Sequence, residues 1–347
     1  SISYINLADL DRALDSRRVR GGYEKGLAIQ ERLAQLEPEN TTCMRGLPFS
    51  YERLANLDRV LDPRRAREGY EKGLAVQERL AQLEPENTTY MRDLSISYNN
   101  LADLDRTLDP RRAREGYQKG LAIRERLAQL EPENTTYLRD LSVSYDRVAD
   151  LDRTLDPRRA REGYQKGLAI AEQLAQLDPE NMTYLRELSI SFLSLGQMGE
   201  RLELAEAQEW FDKAVGLRRR FTVQRPDDPD LWERLANACH KRGAWALRRG
   251  APADADAFHS ECLRALDRAI VLAPDSSSAM YLMACVRSVF GTSEQALQAL
   301  EKAVELGFHD AIEAAGERDL ESLRGHPRFE ELLEEMRSRA SGGAGTI

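Results

Sequence analysis

His259 and Cys262, three residues apart, could set an imidazole and a thiol on one helical face, with Cys239 or His240 supplied from the preceding helix. Zinc needs four convergent ligands, and a thiol nucleophile needs a supporting sheet and an orienting third residue. Neither arrangement is indicated, so no metal site and no cofactor is expected. Cys43, Cys239, Cys262 and Cys285 lie far apart with no C-x-x-C pair, and they read as small core residues. Paired carboxylates such as Asp103/Asp105 and Glu131/Glu133 recur in every repeat of the chain, whereas a catalytic pair needs one desolvated location. They read as solvated faces. There is no phosphate-binding G-x-x-x-x-G-K-S/T loop, no G-x-G-x-x-G, no H-E-x-x-H and no G-x-S-x-G. No catalytic residue is assigned, and enzyme activity is not expected.

The arginines are more informative. Arg64, Arg65 and Arg67, then Arg111, Arg112 and Arg114, then Arg158, Arg159 and Arg161 return at a fixed spacing, each set in the first turn of a helix, where the dipole disfavours cations. One reading pairs them with carboxylates such as Asp103, Asp105 and Asp109 of the adjoining turn. The other makes Arg64, Arg65, Arg111, Arg112, Arg158 and Arg159 a basic rim for an acidic protein or a nucleic acid. The whole chain of 347 residues holds 50 Lys and Arg against 59 Asp and Glu, a net charge of −9, which disfavours a general nucleic-acid binder. No run of about 18 uncharged apolar residues is present. The first residues lack the basic start and apolar middle of a secretion signal. A cytoplasmic protein without a membrane partner is expected.

The elements that position these charges follow from a period. Tyr4, Tyr51, Tyr98, Tyr145 and Phe192 are each 47 residues apart, and residues 95–141 differ from 142–188 at only nine positions. Within one repeat, Leu94, Tyr98, Leu101, Leu104 and Leu108 form the apolar stripe of a helix A. Asp109-Pro110 then supplies an N-cap carboxylate and a proline at the first helical position, so a helix B is predicted from Pro110 to about Leu130, ending near Glu131-Pro132. Each repeat is therefore a helical hairpin. Gly116 and Gly120 inside helix B should each cost about 1 kcal/mol against alanine. Their recurrence as Gly69/Gly73 and Gly163/Gly167 predicts close approach of a neighbouring helix.

At Tyr98, Leu101-Ala102 and Ala113-x3-Tyr117-x2-Gly120, and more closely at Phe192, Leu195-Gly196 and Ala207-x3-Phe211-x2-Ala214, the chain resembles the tetratricopeptide repeat family. It departs from that pattern by Ala/Gly exchanges, a shorter inter-helix turn and about 13 added residues, making a long-armed variant. The resemblance implies an all-α, right-handed solenoid of tandem hairpins. Five repeats are expected over residues 1–235, the first truncated at its N-terminus, and two divergent ones over 236–310. Capping helices over 311–339 and a flexible tail over 340–347 complete the expected layout. Ser1 aligns with Ser95 while TTYMRDL has no counterpart before it, which suggests a fragment able to self-associate through its exposed N-terminal repeat. Pro48, standing where other repeats have serine, should kink or shorten helix A of the second repeat, and Gly46 beside it weakens the same turn, so a local irregularity is predicted between the first and second repeats.

The resemblance also implies that helix A lines a groove, at the residues one, five, eight and nine places past the aromatic. These are Ile5, Glu52, Asn99, Asp146 and Leu193; Asp9, Asn56, Asp103, Asp150 and Gln197; Arg12, Arg59, Arg106, Arg153 and Glu200; and Ala13, Val60, Thr107, Thr154 and Arg201. The first set varies most between repeats. Asp103 and Arg106, three apart, could pair within their helix or read a polar ligand. The expected function is a non-catalytic scaffold binding a protein or peptide in this groove, as the recognition or sensor part of a larger bacterial regulatory or defence protein. The alternatives are nucleic-acid or acidic-partner binding through the arginine rim, or a ligand-sensing regulator.

Overall fold

The computed structural model describes residues 16–59 and 62–342. Ile5, Asp9, Arg12, Ala13, Val60, the start of the first repeat and the tail beyond Gly342 lie outside them. The described residues are helical apart from short connections, and no strand occurs among them. They fall into two compact units that part between Ile170 and Ala171.

The first unit contains α1 (Ser16–Leu36), α2 (Thr41–Met44), α3 (Leu47–Asp58), α4 (Pro63–Leu83), α5 (Thr88–Leu108), α6 (Pro110–Leu130), α7 (Thr135–Leu155) and most of α8 (Pro157–Leu177). Helix B is bounded as its sequence signals predict. Asp109 accepts from the Arg112 N–H, Pro110 occupies the first turn, and Glu131 closes the last one onto Leu127. Helix A is longer than its Leu94–Leu108 stripe. It starts at Thr88, where Asn87 accepts from the N–H groups of Thr89 and Tyr90, and Asn40, Asn134 and Asn181 cap in the same way. In the second repeat helix A is broken into α2 and α3 at Arg45-Gly46, with Pro48 in the first turn of α3. Proline has no N–H to continue the ladder, which is why the equivalent of one unbroken helix here becomes two.

The glycine pairs are contact points between the two helices of a hairpin. A Cβ on Gly116 would stand 3.0 Å from the Ala102 Cβ and 3.3 Å from the Tyr98 carbonyl oxygen. Gly69 faces Ala55, and Gly163 faces Ala149, in the same way. Backbone closeness over an Ala–Gly seam thus offsets the propensity penalty of about 1 kcal/mol per glycine.

Successive hairpins are tied by ion pairs. Arg67 donates from Nη1 and Nη2 to the carboxylate of Asp105, 38 residues on, at 2.7 and 3.1 Å. Arg114 reaches the Asp152 carboxylate through Nη2 alone, at 2.8 and 3.1 Å, and Arg20 meets Asp58. The aspartates are 2%, 1% and 6% exposed, so each carboxylate is desolvated and held by a fork-shaped donor from the preceding hairpin.

The second unit begins in α8 and continues through α9 (Met182–Arg201), α10 (Ala207–Gln224), α11 (Pro229–Arg248), α12 (Pro252–Leu272), α13 (Ser277–Phe290) and α14 (Ser293–Glu305). It ends with α15 (Ala311–Gly316), a 3-10 turn at Arg318–Leu323 and α16 (Pro327–Gly342). Residues 340–342, expected in the tail, are thus helical. Gly196 lies against the Phe211 ring, with 2.7 Å between a Cβ placed there and the ring edge. The core runs through Leu235, Cys239, Cys262, Leu266 and Val286, and then through Leu300, Phe329, Leu332 and Met336. Cys239, Cys262 and Cys285 are buried, but Cys43 is only half-buried, in the short α2, because this position near the start of helix A lies at the edge of the hairpin contact, as Tyr137 and Tyr184 show by being half-buried at the same place in unbroken helices. Beneath the closing turn, His240 Nε2 contacts Asp319 at 2.9 Å and the Lys241 ammonium donates to the same carboxylate at 2.5 Å. This buried triad fastens the closing turn to α11.

Candidate interaction face

Helix A of each repeat in the first unit carries the residues named for partner binding, and three of its stripes behave differently. The stripe one place past the aromatic turns inward. Asn99 is 2% exposed and lies over Gly120, its Oδ1 2.8 Å from where a Cβ would stand. Its assignment to a partner-binding surface is therefore corrected: the glycine on helix B leaves a recess, and this side of helix A faces it. Asp146 sits in the same relation to Gly167 and is half-buried. Glu52 is half-buried too and accepts from the Asn100 amide at 2.6 Å; burial pushes its carboxyl up, against the lowering effect of that hydrogen bond.

Five places past the aromatic stand Asn56, Asp103 and Asp150. Each accepts from the tyrosine of its own helix B: Tyr70 to Asn56 at 2.7 Å, Tyr117 to Asp103, and Tyr164 to Asp150 at 2.5 Å. Burial raises the Tyr117 and Tyr164 hydroxyls, and the accepting carboxylates raise them further, so both stay protonated as donors. Asp103 also accepts from Arg147 of the next repeat at 3.0 Å. The stripe is locked from beneath.

Eight places past the aromatic stand Arg59, Arg106 and Arg153, all exposed. The Asp103–Arg106 pair within one helix is not formed, because Tyr117 and Arg147 already engage that carboxylate. Their positive charge is felt by Tyr70, Tyr117 and Tyr164, whose hydroxyls it opposes raising, so each guanidinium flanks a tyrosine–carboxylate or tyrosine–amide bond.

The basic rim is divided. Arg65 pairs with Asp58 at 3.4 Å and Glu24 at 3.2 Å, Arg112 with Asp109 at 3.4 Å, and Arg159 with Asp152 at 3.3 Å. Arg64, Arg111 and Arg158 are exposed, with no ion pair among the described residues. Half of the rim therefore supports the hairpins themselves.

A buried polar register on helix B had no counterpart in the sequence reading. Gln30, Gln77, Arg124 and Arg218 stand 47 or 94 residues apart and all are buried. Arg124 donates to Ser95 Oγ, the Asp140 carbonyl and Ser144 Oγ, and burial lowers it to about 10. The signal was available in the serines on the inward side of helix A, at 95, 97, 142 and 144.

Elsewhere His259 stacks on Phe290, ring centroids 4.4 Å apart, and His240 is occupied by Asp319. Among the described residues no three His, Cys, Asp or Glu side chains gather as a metal would require, and no helix is long and apolar enough to cross a membrane.

Known structures share this architecture. The chain is similar to the apo form of RapI, with a TM-score of 0.53, 11% identity, and coverage of 88% of this chain and 96% of that one. It is also similar to BtubC from P. vanneervenii, with a TM-score of 0.51, 18% identity, and coverage of 72% and 90%. A tetratricopeptide repeat protein from Parabacteroides merdae aligns over 96% of this chain and 98% of its own at 12% identity and a TM-score of 0.49. The hairpin array is tetratricopeptide-like. At these identities the likeness speaks for the fold. No family model matches the chain, and no curated protein does.

Proposed function

We propose that this chain is a non-catalytic scaffold that binds a protein or peptide on the helix A face of its first unit. The observation that carries the reading is the triplet Arg59, Arg106 and Arg153: exposed guanidiniums repeated on successive hairpins, each beside a side chain already fixed by a buried tyrosine. The fixed neighbours add no ordering cost of their own when a ligand engages the arginines, so only the guanidinium side chains lose freedom on binding. Asn56, Asp103 and Asp150 border the arginines, with Glu52 and Asp146 at the margin. A ligand with acidic groups alternating with donors fits this pattern. The wider role, recognition or sensing within a larger bacterial regulatory or defence protein of the cytoplasm, rests on the resemblance of the long-armed repeats.

Site-specific photo-crosslinking tests the face. A benzophenone side chain placed at Arg106 is expected to capture a partner in the source cell, while one at exposed Glu115 on helix B captures none. Equal capture at the two positions, or capture at Glu115 alone, would place binding elsewhere.

A further inference from the structure

The second unit holds an open cleft of about 570 Å³ lined by Glu206, Gln208, Glu209, Asp212 and Lys213, and a more enclosed one of about 360 Å³ between α10, α11, α13 and the turn before α15. The latter contains a cation without a counter-charge. Arg218 is 4% exposed, donates from Nη1 to the Arg234 carbonyl at 2.6 Å, and has no partner at Nε. Its equivalent 94 residues earlier, Arg124, is satisfied by two serines and a carbonyl. In the second unit Ser144 is replaced by Ala238, and Ser189, which donates to the Arg186 carbonyl as Ser95 does to Arg92, receives no hydrogen bond from Arg218 Nε. The same register thus changes from a closed polar seam to an under-satisfied guanidinium beside an open cleft.

Of the other charges lining the cleft, all but the Glu313 carboxylate have a partner. Asp230 pairs with Arg234 at 2.7 Å, Glu317 with Lys241 at 3.4 Å, and Glu233 accepts from Ser278 at 3.0 Å. A second under-satisfied group stands on α13: the hydroxyl of Tyr281, 9% exposed, meets only the weakly hydrogen-bonding Cys285 thiol, and its ring stacks on Phe308 at 4.2 Å. A buried cation and a buried hydroxyl short of good partners are each costly, and a ligand that satisfies both recovers that cost. The lining acids, Glu313 among them, repel a polyanion such as a nucleic acid, so the charge pattern favours a single carboxylate with apolar surface behind it.

We propose that this cleft is a second binding site, separate from the helix A face of the first unit, which takes the carboxylate of a peptide on Arg218 with Tyr281 donating to it and the apolar part against Phe308 and Leu282. The carboxylate can be a free C-terminus or an Asp or Glu side chain. Three fluorescent hexapeptide libraries separate these sources when titrated against the full chain: free C-termini without Asp or Glu, amidated with one fixed Glu, and amidated without either acid. Binding in the first or second library, absent from the third, is expected. It should fall at least tenfold in R218M and several-fold in Y281F, and stay unchanged in the triple variant R59A/R106A/R153A. R218M should melt no lower than the parent, because an unpaired buried charge has been removed. If R218M does not fold, R218Q decides by the same tenfold criterion. Binding in none of the libraries, equal binding in all three, or undiminished binding by a folded Arg218 variant overturns the site.

Discussion

Replacing Asp319 by Asn should loosen the C-terminal closure while leaving the first unit intact. The carboxylate is 3% exposed and receives both His240 and Lys241. Burial alone would raise its pKa, but the hydrogen bond from His240 and the charge and hydrogen bond of Lys241 outweigh it and hold the group below the ordinary carboxylate range. Breaking a buried pair costs roughly 3–5 kcal/mol. Lys241 keeps Glu317 at 3.4 Å, so the lower end, about 3 kcal/mol, is expected. For a unit of this size that lowers the melting temperature by about 6–12 °C. Tandem arrays do not unfold as one cooperative block, so the assay is hydrogen exchange read by mass spectrometry, segment by segment. Protection should fall in α11, the 3-10 turn and α16, and remain unchanged in α5–α7. A shift under about 0.5 kcal/mol, typical of a surface substitution, would refute the buried-triad reasoning.

Acid should weaken the same unit in two stages. Burial lowers the pKa of His240 despite its bond to Asp319, so below about pH 6.5 the unfolded chain takes up a proton that the folded one refuses, and stability falls by up to about 1.4 kcal/mol per pH unit. The depressed Asp319 contributes stability that is present above about pH 3.9 and lost as the pH falls through its folded value; a urea titration at pH 7.5, 6 and 5 in which H240N keeps the parental slope would contradict the first stage. Gly116→Ala should destabilise by about 1 kcal/mol because the new Cβ meets the Tyr98 backbone, whereas Gly216→Ala, with nothing within 4 Å, should stabilise by up to about 1 kcal/mol; the same sign for both in chemical denaturation would remove the close-approach account. The double change G46D/P48S, which restores the residues of the following repeat, should join α2 and α3, visible as slowed exchange at residues 45–47; unchanged exchange there would mean that the proline and glycine are not the cause of the break.

Much of this was legible in the residues. Asp-Pro marks the start of each helix B because a capping carboxylate and a proline act locally, within one turn. The Gly116/Gly120 seam announced itself because an unfavourable residue recurs at one register. Pro48 announced an irregularity in helix A for the same local reason, though not that the helix divides in two. What depends on a second helix was less accessible. Asn99 was assigned outward from its place relative to Tyr98, and only Gly120, 21 residues on, shows that it faces inward. The Arg67–Asp105 tie joins residues 38 apart on different hairpins, so nothing in either local stretch distinguishes it from a solvent-exposed pair. Helix A begins earlier than its leucines suggest because an Asn-Thr-Thr cap, which carries no hydropathy signal, sets the boundary.

The most direct measurement is a calorimetric titration of a crosslinked and purified partner into the parent chain and into R59A/R106A/R153A. All three side chains are exposed, so the variant should keep its helical circular dichroism, and a loss of affinity then reports on the face alone. At least a tenfold weaker dissociation constant, with a shallower dependence on salt, is the outcome expected if this face holds the partner. Identical affinity and salt dependence in the folded variant would contradict it.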